Sequence, residues 1–189
     1  MSDLIPYFAY GTTQKGFAHH RRLRDLLGEP VGRFRTAGPH AIVVPHRAAC
    51  SNAGCRYVHR MAALVAGEEE LHAEGDLFLI GRTAGDAIDE LETGAGGRAA
   101  PYVREQVTVV SLDGATTYSA RAYYAREPAR WRALVASGRA DALRTYPRDL
   151  ATGETLKDCC VRDPGHPPPH DVVDPLDGGL APRRGAARA

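Results

Sequence analysis

The residues best placed to do chemistry lie in a short acidic stretch, "TAGDAIDELETG", residues 83–94. Its pattern predicts a helix over residues 83–92. Taking Ala84, Ile88 and Leu91 as core-facing sets the buried face at spacings of four and seven. Glu92 follows Ile88 by four residues and falls on that same face, whereas Asp86, Asp89 and Glu90 read as solvent-facing charges. An ionised carboxylate carried to the edge of a core is costly, so its pKa rises unless it is paired. Two readings stand side by side. Glu92 pairs with an arginine such as Arg104, or frays outward at the helix end. Alternatively it is a general base held near neutrality beside a polar pocket.

A second stretch, "YFAYGTTQKG" at residues 7–16, raises a different question. Tyr7 to Tyr10 reads as the end of a buried strand beginning at Leu4, and it stops at Gly11 in a loop of small, hydroxyl-bearing residues. A threonine nucleophile at Thr12 or Thr13 would need an adjacent base, and the sequence identifies none. "CSNAGCRYVH" sets Cys50, Cys55 and His59 at spacings that could seed a metal site. No fourth ligand follows at a compatible spacing, so no metal is expected and the cysteines read as ordinary thiols. Neither is marked as activated. His19 and His20 read as a solvated helix face, and "HPPPH" at residues 166–170 as tail composition.

The elements that must position these residues follow from hydrophobic period and turn chemistry. After the first strand and loop, a helix is expected over residues 17–27, with Leu23, Leu26 and Leu27 on one face. Strands are expected at residues 32–36, 41–44, 61–65 and 75–80. Two long β-branched and aromatic stretches, residues 102–112 and 118–125, flank the turn "LDGA" and read as an antiparallel hairpin. Helical patterning returns over residues 128–150, interrupted at Gly138. Beyond residue 152 the chain is rich in Pro, Gly and charge. The expected organisation is one catalytic domain over residues 1–150 and a mobile tail over 151–189. Strands outnumber helices without regular interleaving, so the predicted fold is α+β, a mixed, curved or barrel-like sheet with flanking helices.

Composition narrows the partners. The chain has 189 residues, enough for one domain with a full core. Its 24 basic and 23 acidic residues nearly cancel, which argues against a surface built for nucleic acid or anionic membrane. No apolar run approaches the ~20 residues that span a bilayer. The start, Met1-Ser2-Asp3, lacks the features of a signal peptide, and four cysteines are too few for a disulfide scaffold. A cytoplasmic bacterial protein is expected.

Taken together, the ordered motifs resemble the γ-glutamylcyclotransferase-like family. Its pattern is a strand ending in Tyr-Gly-Ser/Thr, a helix closing on Leu-Asp-x-x-Glu-Gly, and a following strand with Tyr-x-Arg-x-x-Val. Here these are similar to Tyr10-Gly11-Thr12, Ile88-Asp89-Glu90-Leu91-Glu92 and Tyr102-Val103-Arg104-Glu105-Gln106-Val107. Gly16, His19-His20 and Leu23 resemble a smaller signature, and "GDLFLI", residues 75–80, the strand before the family's catalytic helix. The resemblance covers residues 4–150. It implies cleavage of a γ-glutamyl amide by its own α-amine, giving 5-oxoproline and a free amine without metal, cofactor or protein nucleophile. It implies Glu92 as catalytic base and acid. It also implies Tyr10, Gly11, Thr12 and Thr13 as a cradle for the substrate carboxylate and reacting carbonyl, with Tyr102 offering a hydroxyl at the pocket wall. Removal of a γ-glutamyl protecting group in a biosynthetic pathway is one expected role; glutathione or a γ-glutamyl amino acid as substrate, or a non-enzymatic carboxylate-binding module, are the alternatives.

Some positions depart from the family pattern. Thr13 replaces a leucine or asparagine, and Thr93 follows Glu92 where glycine is usual. The segment 93–101 is long and glycine-rich. Trp131 stands where an aromatic precedes a Gly-Ala signature of which only Gly138 survives. These departures bear on the substrate more than on the reaction.

Overall fold

A computed structural model describes residues 4–45, 62–67, 70–93 and 102–147. The expectations for Cys50, Cys55, His59, the segment 94–101 and the tail 151–189 lie outside the described residues. Among the described residues eight strands form one sheet: β1 (Ile5–Ala9), β2 (Gly32–Thr36), β3 (His40–Pro45), β4 (Ala63–Ala66), β5 (Glu74–Ile80), β6 (Tyr102–Ser111), β7 (Thr117–Ala125) and β8 (Ala140–Leu143). Three helices flank it: α1 (Ala18–Leu27), α2 (Arg82–Thr93) and α3 (Pro128–Ala136). Among the described residues no helix is long and apolar enough to cross a membrane.

The order β1-β5-β2-β6-β7 closes on itself because β7 also pairs with β1, in parallel, at Tyr7 and Arg121. The result is a five-stranded barrel. Beyond β7 the sheet continues as a wing, β4 in parallel and then β3 and β8 antiparallel. Closure gives each barrel strand an inner and an outer face, and side chains alternate between them. Along β1, Phe8 joins a core with Phe34, Leu77, Val107 and Val109 that fills the barrel. Tyr7 and Ala9 join a second core, which contains Leu27 of α1, Ala84 and Ile88 of α2, and Trp131 and Leu134 of α3. The helices therefore cover the outer face on which Tyr7 lies. At the β1–β5 seam Gly75 admits no side chain, since a Cβ there would stand 2.3 Å from the Ala9 carbonyl oxygen.

The α+β barrel with flanking helices agrees with the predicted class, and so does the hairpin. β6 and β7 pair from Tyr102–Ala125 to Val110–Thr117, and the turn closes through Gly114, at φ 78°, whose N–H reaches the Ser111 carbonyl at 2.8 Å. Four expectations need correction. The helix after residue 128 stops at Ala136, and residues 140–143 form β8 against β3. Gly138, at φ 68°, turns the chain there, with its N–H on the Val135 carbonyl. Leu91 of α2 and Leu26 of α1 are exposed at 41% and 43%, so the buried stripe of each helix is narrower than the apolar residues suggest. His20 is buried with its ring against Phe78, not solvated. Asp89 does not face solvent alone; its partners belong to the site.

Candidate active site

β1 delivers the loop. Its register against β5 leads Tyr10 out of the barrel into a tight turn, where the Gln14 N–H reaches the Gly11 carbonyl at 3.1 Å. The turn is braced from behind. The Gln14 amide nitrogen donates to the Tyr10 carbonyl at 2.7 Å, Arg33 donates to the Gln14 side-chain oxygen at 2.8 Å, and the Lys15 N–H donates to Asp76 at 2.7 Å. The Thr12 carbonyl takes the N–H groups of His19 and His20 at the start of α1. These bonds leave the amides of Gly11, Thr12 and Thr13 without an acceptor among the described residues. A Cβ at Gly11 would meet nothing within 4 Å, so the loop borders open space on that side. Successive free amides beside open space suit an anionic or carbonyl oxygen.

The hydroxyls of both threonines are engaged. Thr13 Oγ1 lies 2.7 Å from the Tyr7 hydroxyl, and Thr12 Oγ1 lies 2.8 Å from Nδ1 of His19. The second contact supplies a base-capable neighbour that the sequence did not reveal. The same His19 is tied to Thr12 through its backbone, so the pair clamps the loop to α1. Tyr10 turns its ring into the barrel core and donates its hydroxyl to the Tyr123 carbonyl.

α2 delivers the carboxylate. Ala84 and Ile88 anchor the helix to the outer core, and Glu92, one turn beyond Ile88, is carried inward. Its side chain has no hydrogen bond or ion pair among the described residues. Burial alone pushes its pKa up from 4.5 to about 7. Phenols of three strands lie close enough to respond to its charge. Burial, and after it the charge of Glu92, holds the Tyr7 and Tyr102 hydroxyls protonated far above the usual range. Tyr10 is raised by burial, then by Tyr102, then by Glu92. Tyr123 is raised by burial, by its bond to Asp89 and by that charge, with a smaller contribution from Glu92. Tyr102 is buried, with its hydroxyl against the Ala62 amide. These phenols stay neutral, and the hydroxyls of Tyr7, Tyr10 and Tyr123 bond groups other than Glu92.

Arg104, expected as a partner of Glu92, pairs instead with Asp89. Arg121 reaches the same Asp89 oxygen at 3.3 Å, and the Tyr123 hydroxyl donates to the other. Glu92 thus lies within electrostatic reach of Tyr10 and Tyr102, and Tyr10 leads into the loop Gly11–Thr13. The structure adds three residues that sequence reasoning missed, Tyr7, Tyr123 and Asp89. Signals existed for each. Tyr7 shares the strand face of Ala9, Asp89 stands one helical turn before Glu92, and Tyr123 faces Arg104 in the hairpin register.

A closed five-stranded barrel carrying three outer helices among the described residues defines an α+β barrel protein. A family model described as gamma-glutamyl cyclotransferase, AIG2-like, matches residues 7–141, and the chain belongs to that family. It is a γ-glutamylcyclotransferase-like enzyme, one that transfers an acyl group with cyclisation. Among solved structures the chain is similar to an AIG2-like protein from Mus musculus, at 15% identity and TM-score 0.53, over 77% of this chain and 90% of that one. That similarity is one of fold. YkqA from Bacillus subtilis is similar at 20% identity and TM-score 0.46, over 65% of this chain and 40% of that one. No curated protein matches the sequence.

Proposed function

We propose that the chain cleaves a γ-glutamyl amide to 5-oxoproline and a free amine, with Glu92 as the proton carrier. The observation that carries this reading is the carboxylate itself, half-buried, without a partner among the described residues and raised to about 7. Such a group accepts a proton from a bound ammonium near neutral pH and returns it, which a paired carboxylate does poorly. The substrate α-ammonium loses a proton to Glu92. The freed amine attacks the side-chain carbonyl, and the carbonyl electron pair moves to oxygen. Collapse of that oxyanion breaks the bond to the departing nitrogen. Overall two protons pass from the attacking nitrogen to the leaving one, and Glu92 ends ionised as it began. The lactam keeps one hydrogen on nitrogen, and the amine leaves as an ammonium.

The free amides of Gly11, Thr12 and Thr13 hold the substrate carboxylate and the developing oxyanion, with Tyr10 shaping the loop and Tyr102 supplying a neutral hydroxyl at the wall. Holding the amine against its own carbonyl supplies much of the acceleration, because the reaction is intramolecular. The catalytic unit spans residues 1–150, with 151–189 as a dispensable tail. The amine half is a biosynthetic intermediate carrying a γ-glutamyl protecting group, a reading supported by the departures at Thr13 and Thr93 and in the segment 93–101. A panel of γ-glutamyl amides, including glutathione and γ-glutamyl amino acids, assayed for 5-oxoproline by mass spectrometry tests both parts. No release from any amide overturns the reaction; preference for glutathione or a γ-glutamyl amino acid overturns the protecting-group role.

A further inference from the structure

Two carboxylates sit one turn apart on α2, and among the described residues the arginine and tyrosine bonds made to them go to one alone. Asp89 takes Arg104 of β6, and Arg121 and the Tyr123 hydroxyl of β7. Glu92 takes none among the described residues. Arg121 is held in place by more than charge. It lies across α2 at Gly85, where a Cβ would stand 2.9 Å from its guanidinium, one turn before Asp89. Its side chain is 15% exposed. Arg104 is half-exposed and carries a long flexible stem. Both arginines stem from strands that also bear phenols of the Glu92 cage, Tyr102 on β6 and Tyr123 on β7.

We propose that Asp89 is a positioning residue that sequesters Arg104, Arg121 and the Tyr123 hydroxyl, so that the neighbouring Glu92 stays free of these two cations and open to an ammonium. This inference rests on the reading of Glu92 as the proton carrier. Its physical basis is competition: a guanidinium satisfies a carboxylate by charge-assisted bonds, and a carboxylate so satisfied has no site for a second cation. Among the described residues, the groups that respond to the charge of Glu92 are the phenols of Tyr7, Tyr10, Tyr102 and Tyr123, none of which carries charge near neutral pH. α1, also packed on α2, contributes Leu23 and Leu27 to the adjoining core. The arginines are thus the cations whose release from Asp89 would change the state of Glu92.

The test uses the full chain without substrate. The Glu92 carboxyl is titrated by carbon-13 NMR in wild type, in Asp89→Asn, and in Asp89→Asn with Arg104→Met and Arg121→Met. The expected result is a fall of about one unit or more in Asp89→Asn, and recovery when both guanidinium heads are removed. An unchanged titration in Asp89→Asn overturns the proposal. A fall that the arginine substitutions do not reverse also overturns it, since the lost charge of Asp89 then acts by itself. Where Asp89→Asn fails to fold, Tyr123→Phe serves: the Glu92 titration is expected to hold, and a rise would show the hydroxyl serving Glu92. Failure of the proton-carrier reading is seen separately, as undiminished 5-oxoproline release by Glu92→Gln.

Discussion

Asp89 and Glu92 stand one turn apart on the same helix with opposite surroundings: Asp89 is bound by two arginines and a tyrosine hydroxyl, and Glu92 by no group among the described residues. A helix that turns both carboxylates toward the barrel would ordinarily pair both. Pairing only one separates an anion held by the fold from one left without a partner among the described residues. The consequences fall on activity, on pH dependence and on the loop that faces the carboxylate.

Replacing Glu92 by Gln keeps the size and removes the proton acceptor. Release of 5-oxoproline from a turned-over γ-glutamyl amide is expected to fall by about 10²–10⁴-fold, the usual range for loss of a general base. Substrate binding, measured by calorimetry, is expected to persist. In wild type the rate should rise with pH to a plateau, with its midpoint near 7. A rate that stays flat from pH 5 to pH 8 would remove Glu92 from this role.

The same burial couples folding to pH. The Glu92 pKa is raised in the folded chain, from 4.5 to about 7, so the folded state binds the proton more tightly. Its contribution is fully present below about pH 4.5 and is lost as pH rises through about 7. Glu92→Gln lacks that loss. The variant should match wild type in thermal unfolding near pH 4.5 and exceed it near pH 8, by on the order of 2 kcal/mol. Equal differences at both pH values would contradict a neutral buried carboxyl.

Gly11 borders open space, so Gly11→Ala should leave stability within about 0.5 kcal/mol of wild type. The added methyl sits beside the free amides and intrudes on the substrate. KM is expected to rise by about tenfold, the cost of losing roughly 1.4 kcal/mol of binding. Unchanged steady-state kinetics would mean the substrate does not approach this loop.

Thr12 and His19 invite a nucleophile reading, because their side chains meet at 2.8 Å. The proposed reaction needs no protein nucleophile, and the pair joins the loop to α1. Thr12→Val should therefore lower thermal stability by about 1 kcal/mol through the lost hydrogen bond while keeping most of the turnover. Abolished turnover in a folded Thr12→Val, or a covalent adduct seen by intact-mass spectrometry in wild type, would support nucleophilic catalysis instead.

The sequence by itself determined the local geometry of this protein. The spacing of Ala84, Ile88 and Glu92 places the carboxylate on the buried side of α2, because the helical period is a property of the backbone. The turn residues of "LDGA" set the hairpin for a similar reason. Glycine and small residues after Tyr10 mark the loop. What only the tertiary structure decided is which groups meet across long separations. Arg104 lies within reach of either carboxylate by sequence, and the stacking of α2 on β6 and β7 gives it to Asp89. Residues 140–143 carry too few side chains to declare a period, and the open edge of β3 made them a strand. Tyr7 and Tyr123 reached the site because β7 closes the barrel on β1. Backbone period is encoded within a few neighbouring residues; charge partnership and barrel closure depend on register between distant strands, and become fixed only when the strands pack.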